Sequence, residues 1–214
     1  MRSLVQPSVI KSAGLAALLT TLACWPRLAL WPMRRDAVWF LLVFILWAAF
    51  FLWSFVFAWQ EKHSGRPVFR RAIPARLWVA VTLCGLCGAA VLRWFLDPIV
   101  RQWLPLDFPG DLSTWGAMLF FTLGLEQLFL CFAPFAFFAR LFHRVVPAMV
   151  GTVCFGVLVM LLKLQSAAVA PAPVVLLALV LFRLAGGFLV LHFYVNGGVL
   201  LVWWQGQIAP GDVG

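Results

Sequence analysis

The chain has 214 residues, 64% of them hydrophobic and only 11% charged, with a mean hydropathy of +1.02. That excludes an ordinary soluble domain, where about a quarter of the residues are charged. The net charge of +9 would suggest nucleic acid in a soluble protein, but here Lys and Arg cluster between apolar runs, where they orient membrane segments. No nucleic-acid partner is expected.

Several separate runs approach the roughly 20 residues that a helix needs to cross a hydrocarbon core of about 30 Å. They do not alternate polar and apolar residues, which excludes a β-barrel. The expected fold is all-α: a polytopic helical membrane protein of six or seven segments, with residues 1–214 forming one transmembrane domain. The N-terminus, MRSLVQPSVIK, has a basic start but no convincing cleavage site before Trp25, so it is expected to be retained.

In chain order, Ser12 to Leu30 is the weakest run, because Pro26 and Arg27 interrupt it; an interfacial or broken helix is expected there. Ala37 to Trp59 carries no charge and is the most secure span. The segment 60–76 holds Lys62, Arg66, Arg70, Arg71 and Arg76 against Glu61, so that loop is expected to face the cytoplasm; the expected location of the chain is a bacterial inner (cytoplasmic) membrane. Leu77 to Leu96 follows, with Arg93 near enough to one end to snorkel. The loop Asp97 to Asp111, with Pro98, Pro105 and Pro109, fits the opposite side.

Leu112 to Ala139 is too long for an untilted span, and Pro134 should kink it or split off its last turn. Arg140, His143 and Arg144 return the chain to the basic side, and Val145 to Leu162 runs back out to Lys163. After QSAAVAPAP come Val174 to Val195, the turn NGG and a short helix, Val199 to Ile208. Arg27, Arg34 and Arg35 conflict with this map, since they fall on the side that should be poor in cations.

Cys24, Cys84, Cys87, Cys131 and Cys154 all lie in or beside apolar runs, so neither a disulfide framework nor a metal site is expected, and the CxxC of Cys84 and Cys87 reads as small-residue helix packing. Trp25, Trp31, Trp59, Trp78, Trp94 and Trp103 sit near run ends, as interface anchors do. A transmembrane bis-His haem is not expected, because His63 and His143 fall in predicted loops. No cofactor is predicted; His192 is the one weak candidate for ligating one.

Glu126 is the only charge between Leu112 and Ala139. A charge at that depth costs at least about 2.5–3.5 kcal/mol on insertion scales and needs a partner in the bundle interior. Arg183 lies near the middle of the Val174 to Val195 run, so the two are expected to pair, directly or through water. Gln127, Thr122 or a backbone carbonyl would serve a protonated Glu126 instead. Gly186 and Gly187 would let another helix approach closely. His192 and Asn196 are four residues apart, on one helical face.

The order of these features resembles the CPBP family of intramembrane proteases, the group that includes the CAAX prenyl endopeptidases and the "abortive infection" proteins. Its members carry EExxxR on one helix, FxxxH on the next and a later His, often in HxxxN; the resemblance implies a glutamate and histidines gathered around a water that attacks a peptide bond by general-base chemistry. Here EQLFLC at 126–131 keeps Glu126 but has Gln127 for the second glutamate and Cys131 for the arginine. CFGVLV at 154–159 keeps Phe155 but has Val159 for the histidine. HFYVN at 192–196 is a literal HxxxN, whereas the landmarks of YVNGGVLLVWWQGQ put Gln205 or Gln207 where the histidine belongs.

The similarity covers residues 112–209, a CPBP-like core preceded by the spans and loops of 1–111. With its motif residues mostly replaced, the chain is expected to be a degenerate, non-catalytic member acting as scaffold, chaperone or accessory subunit of a membrane complex. It would dock other membrane proteins through lipid-facing helix surfaces. The alternatives are a protease with a rearranged Glu126, His192 and Asn196 site, and a small transporter or cofactor-bearing subunit.

Overall fold

A computed structural model describes residues 4–31, 35–70, 72–96, 98, 101, 110–165 and 173–208. Most of the Asp97 to Asp111 loop with Trp103, the interior of QSAAVAPAP, and Arg34 and Arg71 lie outside the described residues.

Seven helices make up the described chain: α1 Pro7–Ala29, α2 Arg35–Ser64, α3 Ala75–Val91, α4 Leu112–Phe142, α5 Val145–Gln165, α6 Pro173–Gly197 and α7 Val199–Ile208. The first six are long and apolar enough to cross a membrane, α3 together with the wide turn Leu92–Leu96 that continues it. The all-α polytopic architecture is therefore as the composition implied.

The first helix corrects the expectation of a break at Pro26. It runs from Pro7 to Ala29 with Pro26 inside its last turn, so the proline leaves only the Leu22 carbonyl without its i+4 donor and does not interrupt the helix. Val9, Ala13, Ala17, Thr20, Cys24 and Leu28 recur every three or four residues and are buried, giving α1 one face to lay against α2 and α4. The conflicting Arg27 lies over the Phe121 ring, 4.6 Å from its centroid.

α2 turns Val38, Leu42, Ile45, Ala49, Trp53 and Val56 inward and presents Trp39, Phe40, Phe44 and Trp47 outward. Trp59 is a second correction: it is buried, 7% exposed, and the Arg140 guanidinium stacks 4.1 Å from its ring centroid. The core is an aromatic column between α2, α4 and α6, in which Trp53 meets Phe132 at 5.9 Å and Phe132 stacks on Tyr194 at 4.7 Å. The Tyr194 hydroxyl donates to Gln60 Oε1 in a fully buried contact.

α4 is one helix with two wide, i→i+5 turns, Thr122–Glu126 and Leu128–Phe132. Pro134 follows the second. Its ring would clash with the carbonyl of Leu130, and a wide turn moves that carbonyl away. The expected irregularity thus falls before the proline, and the last segment, Ala133–Phe142, continues to His143.

α5 packs on the C-terminal part of α4 and on α6, while α3 packs on α7. The end of α2 meets the end of α4, and the segment 65–70 that follows α2 meets the α6–α7 junction, at one end of the bundle. There Phe69 forms an antiparallel bridge with Gly198, Val199 N–H donates to Val68 C=O at 3.0 Å, and the Arg70 guanidinium donates to Asn196 C=O. The NGG turn sits at this junction: Asn196 and Gly197 finish α6, and Gly198 takes φ +75°. A Cβ on Gly198 would lie 2.6 Å from Val68 O, so glycine is required there twice over.

Candidate functional site

Glu126 closes the first wide turn of α4. Thr122 Oγ1 donates to its Oε2 at 2.8 Å, one turn back on the same helix. The turn is held against α1 by a close approach: Gly124 is buried, and a Cβ there would sit 3.1 Å from Ala23 Cβ and 3.5 Å from Thr20 O. Thr20 in turn accepts from Trp53 Nε1 at 3.0 Å. A glycine thus lets α1 approach, and the wide turn re-aims the residues that follow it.

On the far side of Glu126 lies a cavity of about 90 Å³ between α4, α5 and α6. Its polar wall consists of Thr122, Glu126, Gln127, Cys131, Thr152 and Arg183. The volume admits several water molecules. Arg183 reaches it across α5: a Cβ on Gly156 would stand 3.7 Å from Arg183 Nε and 3.8 Å from Nη2, so the small residue leaves the guanidinium its room. Thr152 spends its own hydroxyl on Ala148 C=O at 2.8 Å.

The two predicted partners therefore line one cavity, and the structure records no direct salt bridge between them. Gln127 lines the same wall. Of the two glycines on α6, Gly187 is the one against a neighbour, its virtual Cβ 3.3 Å from Val153 Cγ2, while Gly186 faces open space.

The other candidates stand elsewhere. His192 and Asn196 are partners of each other: Asn196 Nδ2 donates to His192 C=O at 2.8 Å and lies 3.5 Å from His192 Nε2. Neither lines the cavity that holds Glu126. Phe155 packs edge-on against Phe129 of α4 at 5.6 Å, and Val159, one turn on, is absent from the cavity wall. α7 does return to the neighbourhood of Glu126, since a Cβ on Gly206 would meet Leu123 Cδ2 at 2.6 Å. Gln205, beside it, keeps a buried Oε1 with no partner, and Gln207 is exposed.

Comparison with family models, with curated proteins and with solved structures finds no match.

Sequence reasoning missed Cys24 and Thr152 as neighbours of the site. Cys24 on α1 is close enough for the Glu126 charge to act on its thiol, and Cys131 is similarly placed toward Arg183. The usable signal was the small-residue spacing of α1 and α5; what it lacked was any indication of which helices are neighbours. Among the described residues no group of three or more His, Cys, Asp or Glu converges as metal ligands do.

Proposed function

We propose that this chain is a CPBP-like integral membrane protein without peptide hydrolase activity, serving as a scaffold, chaperone or accessory subunit in a membrane complex. The supporting observation is the make-up of the Glu126 cavity. It combines one carboxylate with a guanidinium, a thiol, an amide and hydroxyls, and it has no imidazole. Hydrolysis needs groups within hydrogen-bond reach that orient the water and protonate the leaving nitrogen. Val159 has nothing to offer in that role, and His192 stands outside the cavity wall.

The basic end, with Lys62, Arg66, Arg70, Arg140 and Arg144, faces the cytoplasm in this reading, by the usual bias of Lys and Arg. Partners would dock on outward-facing helix surfaces, where packing rather than water exclusion drives association.

The test is peptide hydrolysis by the purified, reconstituted protein and its Glu126→Gln variant. Neither is expected to cleave; cleavage by the wild type that the variant loses overturns the proposal. Purification in mild detergent should bring a second membrane protein in fixed ratio.

A second reading has its own support. Opposite charges lining a mid-span cavity large enough for water are also what a small solute or proton path uses. Flux into proteoliposomes that Arg183→Met abolishes would favour it.

A further inference from the structure

His63 and His143 are 80 residues apart in sequence, yet their Nδ1 atoms lie 3.2 Å from each other, with ring centroids 5.0 Å apart and planes at 47°. His63 is in the last turn of α2, not in a loop, and His143 is the residue that ends α4. Both are solvent-facing or nearly so, and both belong to the end of the bundle where the basic segments gather.

His143 holds its place by an unusual backbone. Its φ of 54° makes it the one non-glycine residue in the left-handed region among the described residues. Its N–H caps α4 by donating to Ala139 C=O at 2.9 Å. Glycine would make that cap at lower conformational cost. Histidine instead supplies a ring, and the ring is turned onto His63.

The separation suits a metal ion. Tetrahedral coordination with metal–nitrogen bonds of about 2.0–2.1 Å puts two ligand nitrogens about 3.3–3.4 Å apart, and adjacent square-planar positions put them about 2.9 Å apart. A distance of 3.2 Å falls between these values, so the two nitrogens already stand at the spacing a shared ion requires, and the rings have only to turn their lone pairs to it. Without metal, one Nδ1–H donates to the other Nδ1. With metal, both rings carry their proton on Nε2 and turn both Nδ1 lone pairs to the ion.

We propose that His63 and His143 form a two-histidine site for a divalent transition metal, Zn²⁺ or Cu²⁺, clamping the end of α2 to the α4–α5 corner. Water completes the coordination, since no carboxylate or thiol joins the pair among the described residues. Lys62 and Arg140 act electrostatically on the His63 ring; their charges oppose a dication, so the site is exchangeable rather than structural.

The test uses the full chain, purified in detergent without a polyhistidine tag, stripped with chelator and titrated with Cu²⁺. The paramagnetic resonance spectrum should carry hyperfine splitting from two equatorial nitrogens. His63→Ala and His143→Ala should each weaken binding about tenfold or more, while His192→Ala, the third histidine of the chain, leaves it unchanged. Helix content and melting temperature in chelator establish that each variant is folded. If a variant fails to fold, the nitrogen count on the wild type decides alone, and Zn²⁺ should raise the wild-type melting temperature. Splitting from one nitrogen or none, or affinity unchanged in both folded variants, overturns the proposal.

Discussion

At the scale of single residues, the question is how a carboxylate and a guanidinium coexist in a bundle that is otherwise apolar. The structure answers with a cavity rather than a contact. Glu126 takes one hydrogen bond from Thr122 and, with Arg183, opens onto a volume of about 90 Å³. Removing one charge should therefore hurt more than removing both. Arg183→Met and Glu126→Gln are each expected to lower stability, by about 1–3 kcal/mol for a group left without its counter-charge. The double variant should recover part of that loss, and a double-mutant cycle on unfolding in mixed micelles measures it; strict additivity would mean that the two do not communicate. Gly198 gives a second residue-level prediction. Gly198→Ala meets both a positive φ and the Val68 carbonyl at 2.6 Å, and a lowering of stability by at least about 1–2 kcal/mol is expected in the same assay.

At the scale of elements, α4 gathers most of the irregularity. It starts on Asp111, whose Oδ1 accepts from Thr114 N–H at 2.8 Å and from Ser113 Oγ at 2.7 Å. Those bonds, the Ser113 hydroxyl foremost, hold the Asp111 carboxyl below its ordinary value of 3.8. A depressed carboxylate contributes stability that is fully present above that ordinary value and is lost as pH falls through the folded value. The melting temperature of wild type should therefore exceed that of Asp111→Ala near neutrality, with the gap closing as the pH drops below about 4. Further along, Gly124 is the buried residue of the wide turn at Thr122–Glu126 and lies against α1. Gly124→Val would push a side chain into Ala23, whose Cβ is 3.1 Å from a virtual Cβ there. It is expected to cost about 1–3 kcal/mol by overpacking, read as a lowered midpoint of unfolding.

At the scale of the whole molecule, one end is tied together by elements far apart in sequence. The α2 terminus, the 65–70 segment, the α4–α5 corner and the α6–α7 junction meet through His63 and His143, Phe69 and Gly198, and Arg70 and Asn196. A topology measurement checks the proposed orientation. In a cysteine-free background, a cysteine at Arg66 and one at Arg144 should react with a membrane-impermeant reagent from the same side, and one at Gly110 from the other. Labelling of all three from one side would sink the six-span arrangement.

Composition and run length determined the class of this protein without help from coordinates, because apolar residues in lengths of about 20 leave a chain no solution but helices that satisfy their own backbone in lipid. Most helix bounds followed from the same pattern, and the charge of Glu126 marked the site, since a buried carboxylate is costly wherever it sits. What the pattern misjudged is also local and physical. Pro26 looked disruptive but falls in a final turn, and Trp59 looked like an interface anchor but is covered by Arg140. Tertiary structure alone decided which helices are neighbours. That is why Arg183 and Glu126 share a cavity while His192 stands apart, and why His63 and His143 meet across 80 residues. In a membrane nearly every helix face is apolar, so hydrophobicity does not say which face seeks which, and only packing of glycines, wide turns and aromatic rings makes that choice.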